Sequence, residues 1–309
     1  MLKTSKSGNR LLITGGCSYS DPEFRSCIVC DDLHEEDRGG WPMWPELVGK
    51  RLGLDVINTA SSGRGNDYIF NTVLNKILSY KDDIDTVMVM WSEYDRFTIA
   101  ANTQGGFPIL PISHAAQLFN QVSYTMDADA DIHTMFNKNH ISPDYAPHFV
   151  CDYLNNIDSL THIFESTYDK MICLNELCDK FGIKIYHFNS LTPMAEDQIG
   201  GIINEYNKKQ AWSMRGLLYS LNKSSLRFNT LNEYDNILGF PFMSELGGFT
   251  IVDLLREGGW DDLTINPIDG HPNPTGQEFI SKIILDFVLY DKLPMFLSDD
   301  APSPIHIYD

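Results

Sequence analysis

Two stretches at opposite ends of the chain carry the residue types that acyl-transfer chemistry requires. The first, LLITGGCSYS over residues 11–20, ends a short apolar run on Gly15 and Gly16 and then offers Cys17 and Ser18, a thiol and a hydroxyl side by side. Glycines there let the backbone turn sharply and leave the following side chain exposed at the end of a strand, the geometry a serine nucleophile needs. The second stretch is Asp269-Gly270-His271-Pro272-Asn273-Pro274-Thr275-Gly276. It sets an imidazole beside a carboxylate just before a C-terminal helix, so a base and its orienting acid would sit together. Neighbours on a turning chain point in different directions, so only one of Cys17 and Ser18 can face His271. A thiol at that place reads as a small buried residue unless its surroundings lower its pKa.

Two further stretches belong with these. Asn58-Thr59-Ala60-Ser61-Ser62-Gly63-Arg64-Gly65 precedes a helical pattern, and a glycine there could aim its backbone N–H at a developing oxyanion. Trp91-Ser92-Glu93-Tyr94-Asp95-Arg96 ends a third apolar run. Arg64 and Arg96 are placed to hold an anionic or hydroxyl-rich substrate at a pocket mouth. No phosphate-binding loop occurs, and GRGND lacks the spacing of a dinucleotide fingerprint. Cys27-x-x-Cys30 with His34 is half of a zinc pattern, but no second Cys/His pair follows at suitable spacing, so no metal or cofactor is assigned. Trp41 and Trp44, in GGWPMWPELV, read as core residues at the start of a helix rather than as platforms for a sugar.

The elements that must position these groups are legible as an alternation. Residues 10–15, 54–60, 85–91 and 183–189 read as strands, each short, apolar and bounded by Gly, Asn, Ser or Asp. None alternates with polar residues, which predicts strands covered on both faces. Residues 66–80 and 158–181 repeat apolar side chains at helical spacing, the latter stopped by Gly182, and a last helix follows Asn273 as N-cap and Pro274 in its first turn. Strand then helix, repeated, predicts a parallel α/β sheet whose carboxyl strand ends hold the ligand. Residues 20–40, 97–155 and 190–262 break the rhythm and are expected to be insertions capping that end of one domain spanning residues 1–309.

Composition sets the outer bounds. Apolar residues make up 43% and charged residues 21%, which fits a folded globular chain. The formal net charge of -19 repels phosphate backbones and speaks against a nucleic-acid partner. No apolar run has the length of a membrane span, and the apolar run before Gly15 is too short for a secretory signal. The expectation is a cytoplasmic protein without a membrane partner, its six cysteines reduced; the oligomeric state is left open.

The four stretches, taken in order, resemble the conserved blocks of the SGNH, or GDSL-like, hydrolases. The resemblance rests on about a dozen residues spread over nearly the whole chain, and is closest from His271 to Gly276. It implies a three-layer α/β/α sandwich around a parallel, flavodoxin-like sheet of about five strands. Carried over residue by residue, it makes Ser18 the nucleophile and one oxyanion donor through its backbone N–H, Gly63 the second donor, and His271 the general base. Cys17 stands where the first block has Asp, the form of a GCS-type branch often carried by phages and marine bacteria. Asp269 lies two residues before His271 rather than three, so Asp269, Asp262 or a backbone carbonyl is left to orient the ring. The third block has no Asn. An ionised Glu93 cannot donate to an oxyanion, so a protonated Glu93, Ser92 or a residue of an insertion must donate in its stead. Losing such a donor outright costs about 3 to 4 kcal/mol. The implied function is hydrolysis of a small ester, an O-acyl or O-acetyl group on a carbohydrate. The alternatives are acyl transfer to a glycan hydroxyl and a non-catalytic binding protein.

Overall fold

Short apolar runs become strands where both faces find cover, and the computed structural model shows this for residues 10–26, 38–94, 96–98, 109–111, 157–193, 225–266 and 269–290, the residues it describes. In chain order the strands are β1 (Leu11–Gly15), β2 (Asp55–Asn58), β3 (Ile84–Trp91), β4 (Arg96–Thr98), β5 (Ile109–Pro111) and β6 (Lys184–Asn189). The helices are α1 (Trp44–Leu52), α2 (Asn66–Tyr80), α3 (Ile157–Phe181), α4 (Leu226–Asn232), α5 (Ile251–Leu263) and α6 (Pro274–Tyr290). β1, β2, β3 and β6 form one parallel sheet in the order β2-β1-β3-β6, while β4 and β5 pair antiparallel apart from it.

Successive side chains of a strand go to opposite faces, which explains the missing polar alternation. Ile13, Val87, Val89 and Trp91 point to the side covered by Ile69, Val73 and Ile77 of α2 and by Phe164, Tyr168, Met171 and Leu174 of α3. Leu12, Met88, Met90 and Phe188 point to the other side, against Trp44 and Val48 of α1 and the apolar faces of α5 and α6. The result is the three-layer α/β/α arrangement with the flavodoxin-like strand order. Among the described residues no helix is long and apolar enough to cross a membrane.

Two features refine this arrangement. The sheet has four full strands among the described residues, and the fifth position is reduced to one bridge, His187 with Ile237. His187 N–H reaches Asn236 O at 2.9 Å and Leu238 N–H reaches His187 O at 3.0 Å. Gly239, at φ 85°, then turns the chain away, and Pro241 has no N–H with which to continue a ladder. Residues 190–262 are also not all cap. Ile251, Val252, Leu254 and Leu255 of α5 are buried against the sheet and α6. The helical period of α5 is hard to read in sequence because Gly258 and Gly259 interrupt it, and Gly259 sits at φ 110°. Most of 97–155 lies outside the described residues.

Candidate active site

The turn after β1 depends on its glycines because other groups crowd it. A Cβ on Gly15 would lie 2.4 Å from Val73 Cγ2, and one on Gly16 would lie 2.4 Å from Ser20 Oγ. Ser20 N–H closes the turn on Cys17 O at 3.0 Å. The two neighbours then separate as chain geometry requires. Cys17 is fully buried in the α6-side core, its Sγ 3.4 Å from Ser190 Oγ, whereas Ser18 turns its hydroxyl to His271.

His271 is delivered by the loop between α5 and α6. That loop is anchored at both ends: Ile265 N–H binds His271 O at 2.9 Å, and Asn273 Nδ2 donates to Asp262 O at 2.9 Å and to Thr264 O at 2.8 Å. Asn273 Oδ1 also accepts Gly276 N–H at 2.9 Å and so caps α6. His271 Nε2 stands 2.8 Å from Ser18 Oγ, and Nδ1 stands 2.5 Å from Asp269 Oδ1. A carboxylate at Nδ1 fixes the proton there, which leaves Nε2 to accept the Ser18 proton. Of the three groups that sequence leaves open for orienting the ring, the Asp269 carboxylate makes the contact, while Asp262 supplies only its backbone carbonyl to the loop.

Asp269 is 3% exposed. Burial pushes its carboxyl up, but hydrogen bonds from His271 and Ser26 more than offset this and hold it below the ordinary carboxylate value. The turn is further fixed by Asp269 N–H on Asn266 Oδ1 at 2.7 Å and by Tyr19 O–H on Gly270 O at 2.8 Å. Phe24 stacks on the His271 ring with centroids 4.3 Å apart.

The loop after β2 is brought to the same place. Ser61 N–H binds Gly16 O at 3.2 Å, and Asn58 Nδ2 donates to Ser20 O at 2.7 Å. Asp21 Oδ2 takes Ser62 N–H at 2.7 Å and Ser62 O–H at 2.6 Å. Gly63 follows, exposed and at φ 72°, a conformation that favours glycine. Arg64 lays its guanidinium over Tyr68 at 4.9 Å and reaches Ser61 Oγ at 3.3 Å. Arg96 has its backbone in β4, and its side chain lies outside the described residues.

After β3, Asn66 grips the backbone of Ser92 from both sides, accepting Ser92 N–H at 2.9 Å and donating to Ser92 O at 3.3 Å. The Ser92 hydroxyl is enclosed and has no hydrogen-bond partner, and Glu93 is buried. An atom closed off from solvent does not reach a substrate oxygen, so Ser92 Oγ as placed is not a donor to one. Among the described residues no three His, Cys, Asp or Glu side chains gather as metal ligands. Cys27, Cys30 and His34 lie outside them.

Sequence reasoning missed Asp21, Phe24 and Ser26. Each is a single residue in an irregular acidic loop, without a period or motif to mark it.

No family model matches the chain, and no curated relative matches it in sequence. Among solved structures it is similar to variants of Axe2, an acetylxylan esterase from Geobacillus stearothermophilus: one is 13% identical with a TM-score of 0.34, matching 93% of this chain and 97% of that one. It is also similar to LAE5, an α/β hydrolase enzyme from the metagenome of Lake Arreo, Spain, at 14% identity, 90% and 94% coverage and a TM-score of 0.31. A GDSL-like lipase structure from Parabacteroides merdae is 11% identical, with 90% and 94% coverage and a TM-score of 0.33. Overlays this loose leave the functional reading to the chain's own geometry.

Proposed function

We propose that the chain is a serine-dependent ester hydrolase of the SGNH/GDSL-like kind, removing a small acyl group from a carbohydrate. The observation that carries this reading is the unbroken relay from Ser18 Oγ through His271 to Asp269, at 2.8 and 2.5 Å, beside the carboxyl ends of β1 and β3. Such a relay activates a hydroxyl that is otherwise a weak nucleophile at neutral pH. The carbohydrate rests on the motif resemblance.

Ser18 Oγ attacks the acyl carbon as its proton passes to His271 Nε2. Asp269, held ionised, keeps the Nδ1 proton in place and stabilises the imidazolium. The backbone N–H groups of Ser18 and Gly63 receive the negative charge that develops on the carbonyl oxygen. Collapse of the tetrahedral species expels the alcohol, which takes the proton from Nε2. Water, activated by the same nitrogen, then releases the acid and restores Ser18.

The test is turnover of p-nitrophenyl acetate together with labelling by a fluorophosphonate. Ser18→Ala and His271→Ala should each lower kcat/KM by about 10³-fold or more and abolish labelling. Turnover that survives both changes overturns the reading, and an unreactive Ser18 in the parent chain favours a non-catalytic binding protein. Product analysis with added sugar acceptors separates hydrolysis from acyl transfer.

A further inference from the structure

We propose that the segment 21–26 is a positioning brace that sets both halves of the catalytic device, Ser26 through Asp269 and Asp21 through the loop that carries Gly63. The inference rests on the esterase reading above.

Ser26 donates its hydroxyl hydrogen to Asp269 Oδ2, the oxygen that His271 leaves free. Its own place is fixed by backbone: Ser26 N–H binds Arg38 O at 2.8 Å, and the preceding residue, Arg25, bridges Gly39. Ser26 is 6% exposed, so this hydroxyl meets no competing bulk water. A donor on Oδ2 does two things. It holds the carboxylate plane so that Oδ1 faces Nδ1, and it draws off part of the charge that would otherwise pull harder on an imidazolium.

Asp21 does the corresponding work on the other side. Its Oδ2 takes both Ser62 donors and its Oδ1 takes Glu23 N–H at 2.9 Å, so every acceptor side that holds the loop is used. Gly63, with its left-handed φ, is the next residue after the one so held. Phe24, between the two anchors, lies flat on the His271 ring and closes that face to water. One six-residue stretch thus touches the base, its orienting acid and the loop of the oxyanion donor.

Among the titratable groups beside the pair, Tyr19 on the turn after β1 feels Asp269, Cys17, Glu93 and Arg256 of α5, and its hydroxyl donates to Gly270 O. The Ser26 hydroxyl is one of the groups that hold the Asp269 carboxyl down, so removing it should move the acid limb of kcat/KM to higher pH through Asp269.

The test compares Ser26→Ala, Ser26→Cys and Ser26→Thr in the full chain, reading pH profiles of p-nitrophenyl acetate turnover and the low-field NMR signal of the proton between His271 and Asp269, with His271→Gln to identify it. Ser26→Ala should lower kcat/KM about tenfold, as expected for losing a hydrogen bond to a charged group, move the acid limb to higher pH and displace the low-field signal. Ser26→Cys, a poor donor of similar size, should do the same if the alanine variant folds badly, and Ser26→Thr should restore the parent profile and signal. Asp21→Asn should lower kcat about tenfold, again the worth of a charged hydrogen bond, with the acid limb and the low-field signal unmoved. An acid limb and a low-field signal that are both unchanged in Ser26→Ala overturn the brace. The NMR signal needs no turnover, so a displaced signal in a chain that no fluorophosphonate labels keeps the brace and sinks the esterase reading instead.

Discussion

His187 offers a prediction that does not depend on the substrate. The ring is wholly buried on β6, stacked on Trp91 at 5.9 Å, with Nδ1 accepting Trp91 Nε1–H at 3.0 Å and Nε2 without a partner. Burial pushes its pKa down from 6.5 to about 3, because a charged ring there would lose its hydration. The folded chain therefore keeps the ring neutral while the unfolded chain takes up a proton below pH 6.5. Stability that this site contributes is complete above the unfolded value and is withdrawn as pH falls from there toward the folded one. Each pH unit in that window costs about 1.4 kcal/mol, so about 2 kcal/mol is gone at pH 5 and about 5 kcal/mol near pH 3. Losses of that size matter against the 5 to 15 kcal/mol, roughly, that hold a typical fold. His187→Gln keeps an acceptor for Trp91 and removes the titration. Urea unfolding of parent and variant at pH 7.5 and pH 5.0 should show the parent losing about 2 kcal/mol more than the variant between the two. Carboxylates contribute equally to both and cancel. Parallel losses in the two proteins would refute the reasoning.

Three further outcomes follow from the site. Asp269→Asn should lower kcat about 10³-fold, because a carboxylate about 4 Å from an imidazolium is worth about 4 kcal/mol at an effective dielectric near 20, and stopped-flow or steady-state turnover checks it. Cys17→Ala should keep kcat/KM within about threefold while lowering the unfolding midpoint by a few degrees, as trimming a small buried side chain does; a larger loss of activity would return the thiol to the chemistry. Ser92→Ala removes an enclosed hydroxyl without a partner, and so should leave turnover within about twofold and raise stability by up to about 1 kcal/mol. A loss of about 10²-fold in kcat for Ser92→Ala would instead identify it as an oxyanion donor in a rearranged loop.

The parts of the fold that sequence reveals are those where one physical requirement dominates a whole segment. Burial on both faces makes β3 read as a continuous apolar run, and one-sided burial gives α2, α3 and α6 their period. Gly15, Gly16, Asn273 and Pro274 mark Ser18 and His271 because a tight turn and a helix start each demand particular residues. The bracing contacts have no such signature. Ser26 meets Asp269 across 243 positions, and Asp21 meets Ser62 across 41, each through one polar side chain in a loop otherwise rich in acidic residues. Spacing alone also left Asp262 competing with Asp269, and the difference lies in the Asn266–Asp269 turn, which folds the carboxylate back onto the ring.

The third strand end raises a different issue, since it holds Ser92 and Glu93 where the resembled family has an amide donor. Asn66, the first residue of α2, is spent on holding the Ser92 backbone, so it is not free to serve as that donor. What remains near Gly63 among the described residues is the amino end of α2, three residues further on, with its partial positive charge. Such a helix terminus offers up to about 2 kcal/mol to a nearby anion, against the 3 to 4 kcal/mol, roughly, of a dedicated donor. The shortfall falls on the tetrahedral species and not on the Ser18–His271 contact. A chain built this way should have a serine that reacts readily with a fluorophosphonate, whose own phosphoryl oxygen asks less of the oxyanion hole. Its turnover of an acetate ester would be slower by at least an order of magnitude than in an enzyme with the full set of donors.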